Sequence, residues 1–400
     1  MVQPILSQEA FDFNDNGSIL GTPTDALQQV LRQALHGLME LDIAQRTGAE
    51  RYERNAERMD QRNGTRPPRR FDTRMGSIAL EIPRLRQSNY MPSFLEAHSR
   101  AERAVMAVVQ EAVIGGVSNR KMEKLARALG ITSLSKSQVS EFTKELDEEA
   151  RAFRERPLTG RYPYVYFDAV YEKVRINRTI QSQACVIAYG VREDGGRELI
   201  GLDVVDTESY ESWLTFMRSL RDRGLAGVRL VITDAHGGLV KAVGEVFVGA
   251  AWQRCKVHFG RNVVDHAPVA LKKKLSAAVH EIFKKESKED AQAAFLAVVD
   301  QYGKSCAKAM EILENGLDDA LAFMDFPPEH WRKISSTNPI ERINEEIRRR
   351  TRVIGIFPNV PSALRLISML LLEQTEGWQT DKRFMNAESM LSLYANEDST

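Results

Sequence analysis

The sequence predicts a mixed α/β fold in which a mixed five-stranded sheet is interrupted by an all-helical insertion and preceded by a mainly helical region. Three features indicate this arrangement. Apolar runs typical of strands alternate with amphipathic helices between residues 158 and 266. Residues 267–325 carry only helical periodicity, and the clearest patterns before residue 150 are helical as well. The 400 residues suffice for two or three domains.

The composition does not indicate what the protein binds, but it does indicate in which cellular compartment the protein works. Basic and acidic residues balance at 55 each, so net charge argues neither for nor against a nucleic acid partner. Cys185, Cys255 and Cys306 are an odd, widely spaced set, which suits a reducing cytosol better than a disulfide framework. The start of the chain lacks an export pattern, and the longest apolar run, residues 366–372, is too short to span a bilayer. We therefore expect a soluble, cytoplasmic protein without a membrane partner.

The N-terminal region, residues 24–157, combines a leading helix with a basic segment. Residues 1–23 before it are polar and are expected to form a mobile tail. From Thr24, apolar residues recur at helical spacing. Between Arg51 and Arg86 there are ten arginines, no lysines and five acids, and the stretch GSIALEIPRLR alternates like a short strand.

Two short helices at residues 117–150 have the pattern of a helix-turn-helix. Gly130 ends the first helix, and Ser135 with Gln138 forms a capping box for the second. A helical hairpin that only packs remains an open alternative. The side chains expected to contact DNA in this region are Arg62, Arg69 and Arg70 of the basic segment and Lys136, Gln138 and Lys144 of the second helix.

Residues 158–266 hold five predicted strands. YPYVYFDAVYEKVRI, QACVIAYGV and RELIGLDVV can meander, and VRLVIT and AAWQR follow, each after a helix. This order matches the ribonuclease H-like arrangement, in which the first and fourth strands are parallel neighbours. The expected divisions of the chain are a tail (1–23), a DNA-binding region (24–157), the first part of the core (158–266), a helical insertion (267–335) and closing helices (336–400).

Two aspartates stand out in these strands. Asp168 lies inside an apolar run, where an aspartate is costly to bury unless it is paired or bound to a metal. Asp234 directly follows the fourth strand, where a simple turn residue is the alternative. Because the two strands are expected to be parallel neighbours, both carboxylates should emerge close together. A divalent cation is the usual remedy for their repulsion.

A two-metal site needs a third carboxylate, and the candidates Glu341, Glu345 and Glu346 share the helix that follows the insertion. Glu345 and Glu346 each precede an arginine by four residues, which makes favourable pairs on an exposed helix face. Glu341 precedes another glutamate by four residues, an unfavourable pair that a cation would relieve. Glu341 also fits the acid of a capping box with Asn338 as the N-cap, so these residues alone leave ligand and cap nearly balanced.

Cys255 and His258 have ligand chemistry and close spacing. A zinc site would need a second such pair, which the sequence lacks, so a structural role near the site is favoured. Trp252 has a core position as its default, with stacking on a DNA base as the alternative. The side chains expected to contact DNA in this half of the chain are Trp252 and, along a phosphate backbone, Arg348 and Arg349.

These motifs resemble the signature of Mutator-type transposases of bacterial insertion sequences. Asp234 is followed after three residues by Gly-Leu and then, at the expected distance, by Gln-x-Cys-x-x-His at residues 253–258. The segments YVYFDAVYEKVR and TNPIERINEEIRRRTRVIGIFPN are also similar to the family. The resemblance covers nearly the whole chain apart from the first twenty or so residues.

The resemblance implies a catalytic and metal-binding triad of Asp168, Asp234 and Glu341 in a ribonuclease H-like domain. It also implies Mg²⁺ or Mn²⁺ as cofactor, recognition of terminal inverted repeats by the N-terminal region, and a homodimer or larger assembly on DNA. With two ions per active site, we expect cleavage at the element end to leave a 3′-hydroxyl, which then attacks target DNA. The alternatives are a nuclease without strand transfer and a domesticated DNA-binding regulator. The residues expected in structural or near-site roles are Gln253, Cys255, His258, Asn338 and Asn344.

Overall fold

The computed structural model describes residues 23–53, 58–73, 76–92, 103–117, 121–122 and 136–394. The chain divides into two compact units, Met1–Glu145 and Leu146–Thr400, here called the N-terminal and C-terminal units. The predicted tail, apart from its last residue, and nearly all of the first helix of the predicted helix-turn-helix lie outside the described ranges. Within those ranges, no helix has the length and apolar character needed to cross a membrane.

The N-terminal unit begins with a long helix that packs on short strands. Its first elements are α1 (Pro23–Thr47), β1 (Arg62–Thr65), β2 (Arg69–Thr73), β3 (Gly76–Leu80) and β4 (Pro83–Leu85). β1 pairs with β4 and β2 with β3, both antiparallel. Met39 and Ile43 of α1 are buried with Ile78 and Leu80 of β3. The sequence predicts a strand only at GSIALEIPRLR and misses β1 and β2, because these arginine-rich segments lack the apolar alternation that marks a strand.

The second helix of the predicted helix-turn-helix is interrupted. The elements here are α2 (Arg103–Ile114), α3 (Lys136–Phe142), a 3₁₀ turn (Thr143–Glu145) and α4 (Leu146–Glu155). The hydroxyl of Thr143 donates to the carbonyl of Val139, a local bond that competes with regular helix. The sequence predicts one helix up to residue 150, whereas α4 belongs to the C-terminal unit.

Five strands form one mixed sheet in the C-terminal unit, as the sequence predicts. They are β5 (Tyr164–Ile176), β6 (Thr179–Val191), β7 (Arg197–Val205), β8 (Leu230–Thr233) and β9 (Ala251–Arg254). Their order across the sheet is β7-β6-β5-β8-β9. β6 is antiparallel to both of its neighbours, and β8 is parallel to both of its own. β5 and β6 form a long hairpin whose turn residues, Asn177 and Arg178, have φ of 48° and 70°, as tight hairpin turns require.

Helices cover both faces of this sheet because successive side chains of a strand point to opposite faces. Val165 and Phe167 of β5 are buried against α5 (Tyr210–Asp222) and α6 (Gly237–Val246), whereas Tyr164 and Tyr166 are buried against the later helices. These later helices are α7 (Lys256–Asp265), α8 (Val269–Ile282), α9 (Lys288–Tyr302), α10 (Ala307–Leu321), α11 (Pro328–Ile334), α12 (Asn338–Thr351), α13 (Val360–Thr380) and α14 (Ala387–Leu391).

The predicted insertion, residues 267–335, consists of helices and turns that share a buried cluster with one face of the sheet. Ser287 caps α9 by accepting a bond from the Asp290 amide. Val298 and Tyr302 of α9 are buried in that cluster. The insertion therefore folds as part of the C-terminal unit.

Candidate active site

Asp168 lies on β5 just beyond the residues that pair with β8. That pairing covers Tyr164–Tyr166, so the edge of β5 that faces β8 is open at Asp168. The carboxylate is held through both oxygens: Oδ1 accepts from the Ala169 amide at 2.8 Å, and Oδ2 accepts from Nδ2 of Asn344 at 2.6 Å. Burial raises the pKa of Asp168 to about 7, with a smaller contribution from the Asp234 carboxylate.

Asp234 directly follows the last residue of β8, Thr233. The indole N–H of Trp252 donates to the Thr233 hydroxyl at 2.8 Å, and that hydroxyl donates to the Asp234 carbonyl at 2.8 Å. These bonds fix the chain where β8 ends beside β9. Since β5 and β8 are parallel neighbours with Tyr166 opposite Ile232, Asp168 and Asp234 each lie two residues beyond this pair, side by side along the chain direction.

Glu341 lies in the first turn of α12. The N-cap of this helix is Thr337, one residue earlier than the predicted N-cap Asn338, which is exposed. The backbone N–H of Thr337 points to the sulfur of Cys255 at 3.4 Å, so it does not serve Glu341 as a capping box would. The Thr337 hydroxyl donates to Oε1 of Glu341 at 2.9 Å. Capping thus leaves most of this carboxylate available.

The three carboxylates line one cleft of about 500 Å³ in the C-terminal unit. They come from the middle of β5, the end of β8 and the first turn of α12, segments that are far apart in the chain. The other ionisable side chains that line the cleft are Glu208, His236, His258, Arg261, Glu345 and Arg348. The cleft therefore combines carboxylate oxygens, which can bind a metal ion, with positively charged side chains.

His258 sits between two of the carboxylates. Its Nδ1 lies 2.7 Å from Oδ1 of Asp234 and 3.7 Å from Oε1 of Glu341. Asp234, followed by Cys255, raises the pKa of His258 to about 10. A protonated imidazole here offsets the repulsion between the two acids. Sequence spacing relates His258 only to Cys255, so its contact with both acids was not predicted.

Cys255 and Gln253 brace the surroundings of the cleft. The Thr337 hydroxyl lies 3.2 Å from the sulfur of Cys255, which links the start of α7 to the start of α12. Gln253 is fully buried and bonds to the backbone of Ala320 and Phe323. We interpret both residues as structural, since these contacts join separate segments of the chain. Asp234, Cys255 and His258 nevertheless offer ligand atoms within 4.8 Å of one another.

The two other glutamates of α12 differ from each other. Glu346 pairs with Arg349 at 2.6 Å and with Arg350 at 2.8 Å, and these guanidinium groups lower its pKa to about 2. The predicted pair of Glu345 with Arg349 is wrong, because the Arg349 guanidinium binds Glu346, which lies three residues before it on the helix. Glu345 instead lines the cleft.

The residues expected to contact DNA have varied settings. Arg348 lines the cleft, and Trp252 is half-buried with its N–H bonded inside the protein. In the N-terminal unit, Arg62 pairs with Glu40 at 3.2 Å and Arg70 with Asp72 at 2.8 Å. The remaining members are half-buried Arg69, half-buried Gln138, exposed Lys144, and Lys136, whose side chain lies outside the described part of the chain.

Sequence reasoning missed Glu208 and Arg261 as residues that line the cleft. Arg261 lies one turn beyond His258 on α7, so its helical spacing was a usable signal once His258 was placed. Glu208 lies in the loop after β7, and no pattern in the sequence ties that loop to β5.

Known proteins resemble the chain over most of its length. The family model described as transposase, Mutator family, matches residues 5–381. The transposase for insertion sequence element IS1081 of Mycobacterium tuberculosis is 42% identical over 386 residues, which cover 94% of this chain and 93% of the relative. The transposase for insertion sequence element IS256 in transposon Tn4001 of Staphylococcus aureus is 38% identical over 370 residues, with 90% and 93% coverage.

The solved Drosophila P element transposase strand transfer complex is 10% identical to the chain. It superposes with a TM-score of 0.31 over 72% of this chain and 83% of that chain. The family match and the two relatives span nearly the whole sequence. The chain therefore belongs to the Mutator family of transposases.

Proposed function

We propose that the cleft carries out phosphoryl transfer on DNA, cutting the ends of an insertion sequence and joining them to target DNA. The observation that carries this proposal is the meeting of Asp168, Asp234 and Glu341 in one cleft. The strand order, with two parallel acid-bearing neighbours and a glutamate on a later helix, supports a ribonuclease H-like core. The names of the relatives make insertion-sequence DNA the natural substrate.

The donors in the cleft fit a hard divalent cation such as Mg²⁺ or Mn²⁺. Asp168, Asp234 and Glu341 supply carboxylate oxygens, the ligands that such ions prefer. Oδ1 of Asp234 is buried and, apart from its contact with His258, has no hydrogen-bond partner among the described residues. A pair of bound cations would activate water, polarise the phosphodiester and stabilise the leaving oxygen.

The residues of the chain itself supply position and charge. The Ala169 amide and the Asn344 side chain orient the carboxylate of Asp168. Arg261 and Arg348 place guanidinium groups in the same cleft, where a phosphate needs compensating charge. With His258 between Asp234 and Glu341, the acids stay close together in spite of their repulsion.

The N-terminal unit is proposed to recognise the terminal inverted repeats. Its arginine-rich strands β1 and β2 and the α3 region supply basic side chains suited to a phosphate backbone. Because two ends must be joined to one target, we propose that the protein works as a homodimer or larger assembly on DNA.

The test is cleavage and joining of a labelled duplex that carries the inverted repeats flanking the gene, with Mg²⁺ or Mn²⁺. Asp234→Asn and Glu341→Gln should each lower the cleavage rate at least about 100-fold, because each removes an anionic ligand worth several kcal/mol at the transition state. Asp222→Asn, on the exposed end of α5, is the control and should cleave like the parent chain.

Three outcomes would change the assignment. Full cleavage by Asp234→Asn would refute it. Loss of activity in Glu345→Gln but not in Glu341→Gln would show that the third carboxylate is Glu345, one helical turn later. Cleavage without joining would reduce the function to that of a nuclease.

A further inference from the structure

Two side chains of α12 reach across to two carboxylates of β5. Nδ2 of Asn344 donates to Oδ2 of Asp168 at 2.6 Å, and Oγ1 of Thr351 donates to Oε1 of Glu172 at 2.8 Å. The donors are seven residues apart on the helix, or roughly 10 Å along its axis. The acceptors are four residues apart on one face of the strand, or roughly 13 Å. The helix therefore lies along the strand with two matched cross-links, and only the first involves a carboxylate of the cleft.

Asn344 is unusual for a buried side chain. It is 2% exposed, and its Oδ1 has no hydrogen-bond partner among the described residues. A leucine of similar size would fill the same space without an unpaired oxygen, so packing alone does not explain an asparagine here. If the amide were turned over, Oδ1 would face the carboxylate oxygen of Asp168. The N–H donor is therefore the part of the side chain that this position uses.

The bond fixes a carboxylate that would otherwise rotate. Oδ1 of Asp168 is held by the Ala169 amide and Oδ2 by Asn344, which leaves the remaining lone pairs in one orientation. Asn344 also lies one helical turn after Glu341. The same contact thus sets the distance at which α12 presents Glu341 to β5.

We propose that Asn344 is a positioning residue that orients Asp168, and through α12 also Glu341, for binding of a divalent cation. This inference rests on the proposed function, since it takes these two carboxylates as ligands. Thr351 forms the equivalent bond outside the cleft and serves only to attach the helix.

The experiment is a titration of the full-length protein with Mn²⁺, with the free ion measured by electron paramagnetic resonance, alongside cleavage of the repeat duplex. Asn344→Leu should weaken Mn²⁺ binding about 10- to 100-fold, as loss of a bond to a metal ligand typically does. The concentration of Mn²⁺ that half-saturates cleavage should rise by the same factor. Asn344→Ala, which adds no branched side chain, carries the test if the leucine variant does not fold.

Thr351→Val is the matched control. It removes the other cross-link and should lower thermal stability while leaving Mn²⁺ binding within twofold of the parent chain. Equal weakening in Thr351→Val and Asn344→Leu would overturn the inference, because the effect would then be a general loosening of α12. Unchanged Mn²⁺ binding in both Asn344 variants would also overturn it.

Asp168→Asn separates this inference from the proposed function. If Asp168→Asn binds Mn²⁺ and cleaves like the parent chain, the proposed function itself fails. If Asp168→Asn loses both while the Asn344 variants retain both, the function stands and only the positioning role is wrong.

Discussion

Gln253 holds distant segments of the C-terminal unit together through one buried amide. Its Nε2 donates to the carbonyl of Ala320 at 2.9 Å, and its Oε1 accepts from the amide of Phe323 at 2.6 Å. Ala320 lies in the last turn of α10 and Phe323 in the 3₁₀ turn that follows it, before α11. A glutamine is needed because one side chain must both donate and accept there.

Gln253→Met keeps the size of the side chain but leaves both backbone groups unpaired. We expect a loss of about 1–3 kcal/mol in the free energy of unfolding for each unpaired group, measured by urea denaturation. The control is Gln181→Met on the exposed end of β6, which should change stability by less than about 0.5 kcal/mol. Equal stability of the Gln253 variant and the parent chain would contradict this structural role.

The sequence shows which side chains have the chemistry for a site, but it shows few of the contacts that these side chains make. An aspartate inside an apolar strand and another at a strand end were recognisable by type and by periodicity. The bond from Asn344 to Asp168 joins residues 176 positions apart, and no local pattern carries that information. His258 was linked only to Cys255 for the same reason, although it contacts Asp234 and Glu341.

The glycine pair at the start of α6 shows how closely two helices meet. A Cβ on Gly238 would lie 2.8 Å from the backbone nitrogen of Tyr210 and 3.2 Å from the carbonyl carbon of Ser209, at the start of α5. Gly237, its neighbour, has nothing within 4 Å of the same position. The contact packs both helix starts beside the loop that carries Asp234.

Gly238→Ala should therefore lower the free energy of unfolding by about 1–3 kcal/mol, because the backbone of α5 must shift to admit a methyl group. Gly237→Ala adds the same atom one residue earlier and should stay within about 0.5 kcal/mol of the parent chain. Thermal unfolding of the two variants side by side makes the comparison. A Gly238 variant as stable as the Gly237 variant would show that the two helices are free to separate.

Helices and strands of the C-terminal unit were largely predictable, and those of the N-terminal unit less so. Apolar runs mark β5, β6, β7 and β8 in the sequence. In β1 and β2, arginine and other polar residues replace the apolar alternation. These segments form strands because they pair with β4 and β3, and that pairing is not visible in the local sequence. The N-cap of α12 fell at Thr337 and not at Asn338, since Thr337 also bonds to Cys255, which is 82 residues away.

Within the C-terminal unit, His330 connects the sheet to the last helix. Its Nδ1 lies 2.7 Å from the hydroxyl of Tyr164 on β5, and its Nε2 lies 2.8 Å from the hydroxyl of Ser389 on α14. The side chain is buried, and burial lowers its pKa below the usual value. The folded protein thus holds this histidine neutral.

The linkage predicts a loss of stability in acid. As the pH falls below about 6.5, the unfolded chain takes up a proton on His330 that the folded chain resists, so the free energy of unfolding declines. We expect His330→Gln to be less stable than the parent chain at pH 8 and to lose less stability between pH 8 and pH 5.5. Urea denaturation at both pH values gives the four free energies, and shifts at other groups cancel in the difference between the two chains. Equal losses in both chains would contradict a neutral His330.

The helical insertion and one face of the sheet share one hydrophobic core. The strands contribute Tyr164, Tyr166 and Ile232 to this core, and the helices contribute Leu275, Leu313 and Leu317. A shortened gene that omitted this stretch would expose the aromatic face it covers. A chimera that borrowed the stretch from a relative would have to import the facing strand residues with it. Recombination among such genes is therefore expected to succeed when crossovers keep residues 164–334 together and to fail when they fall between the strands and the insertion.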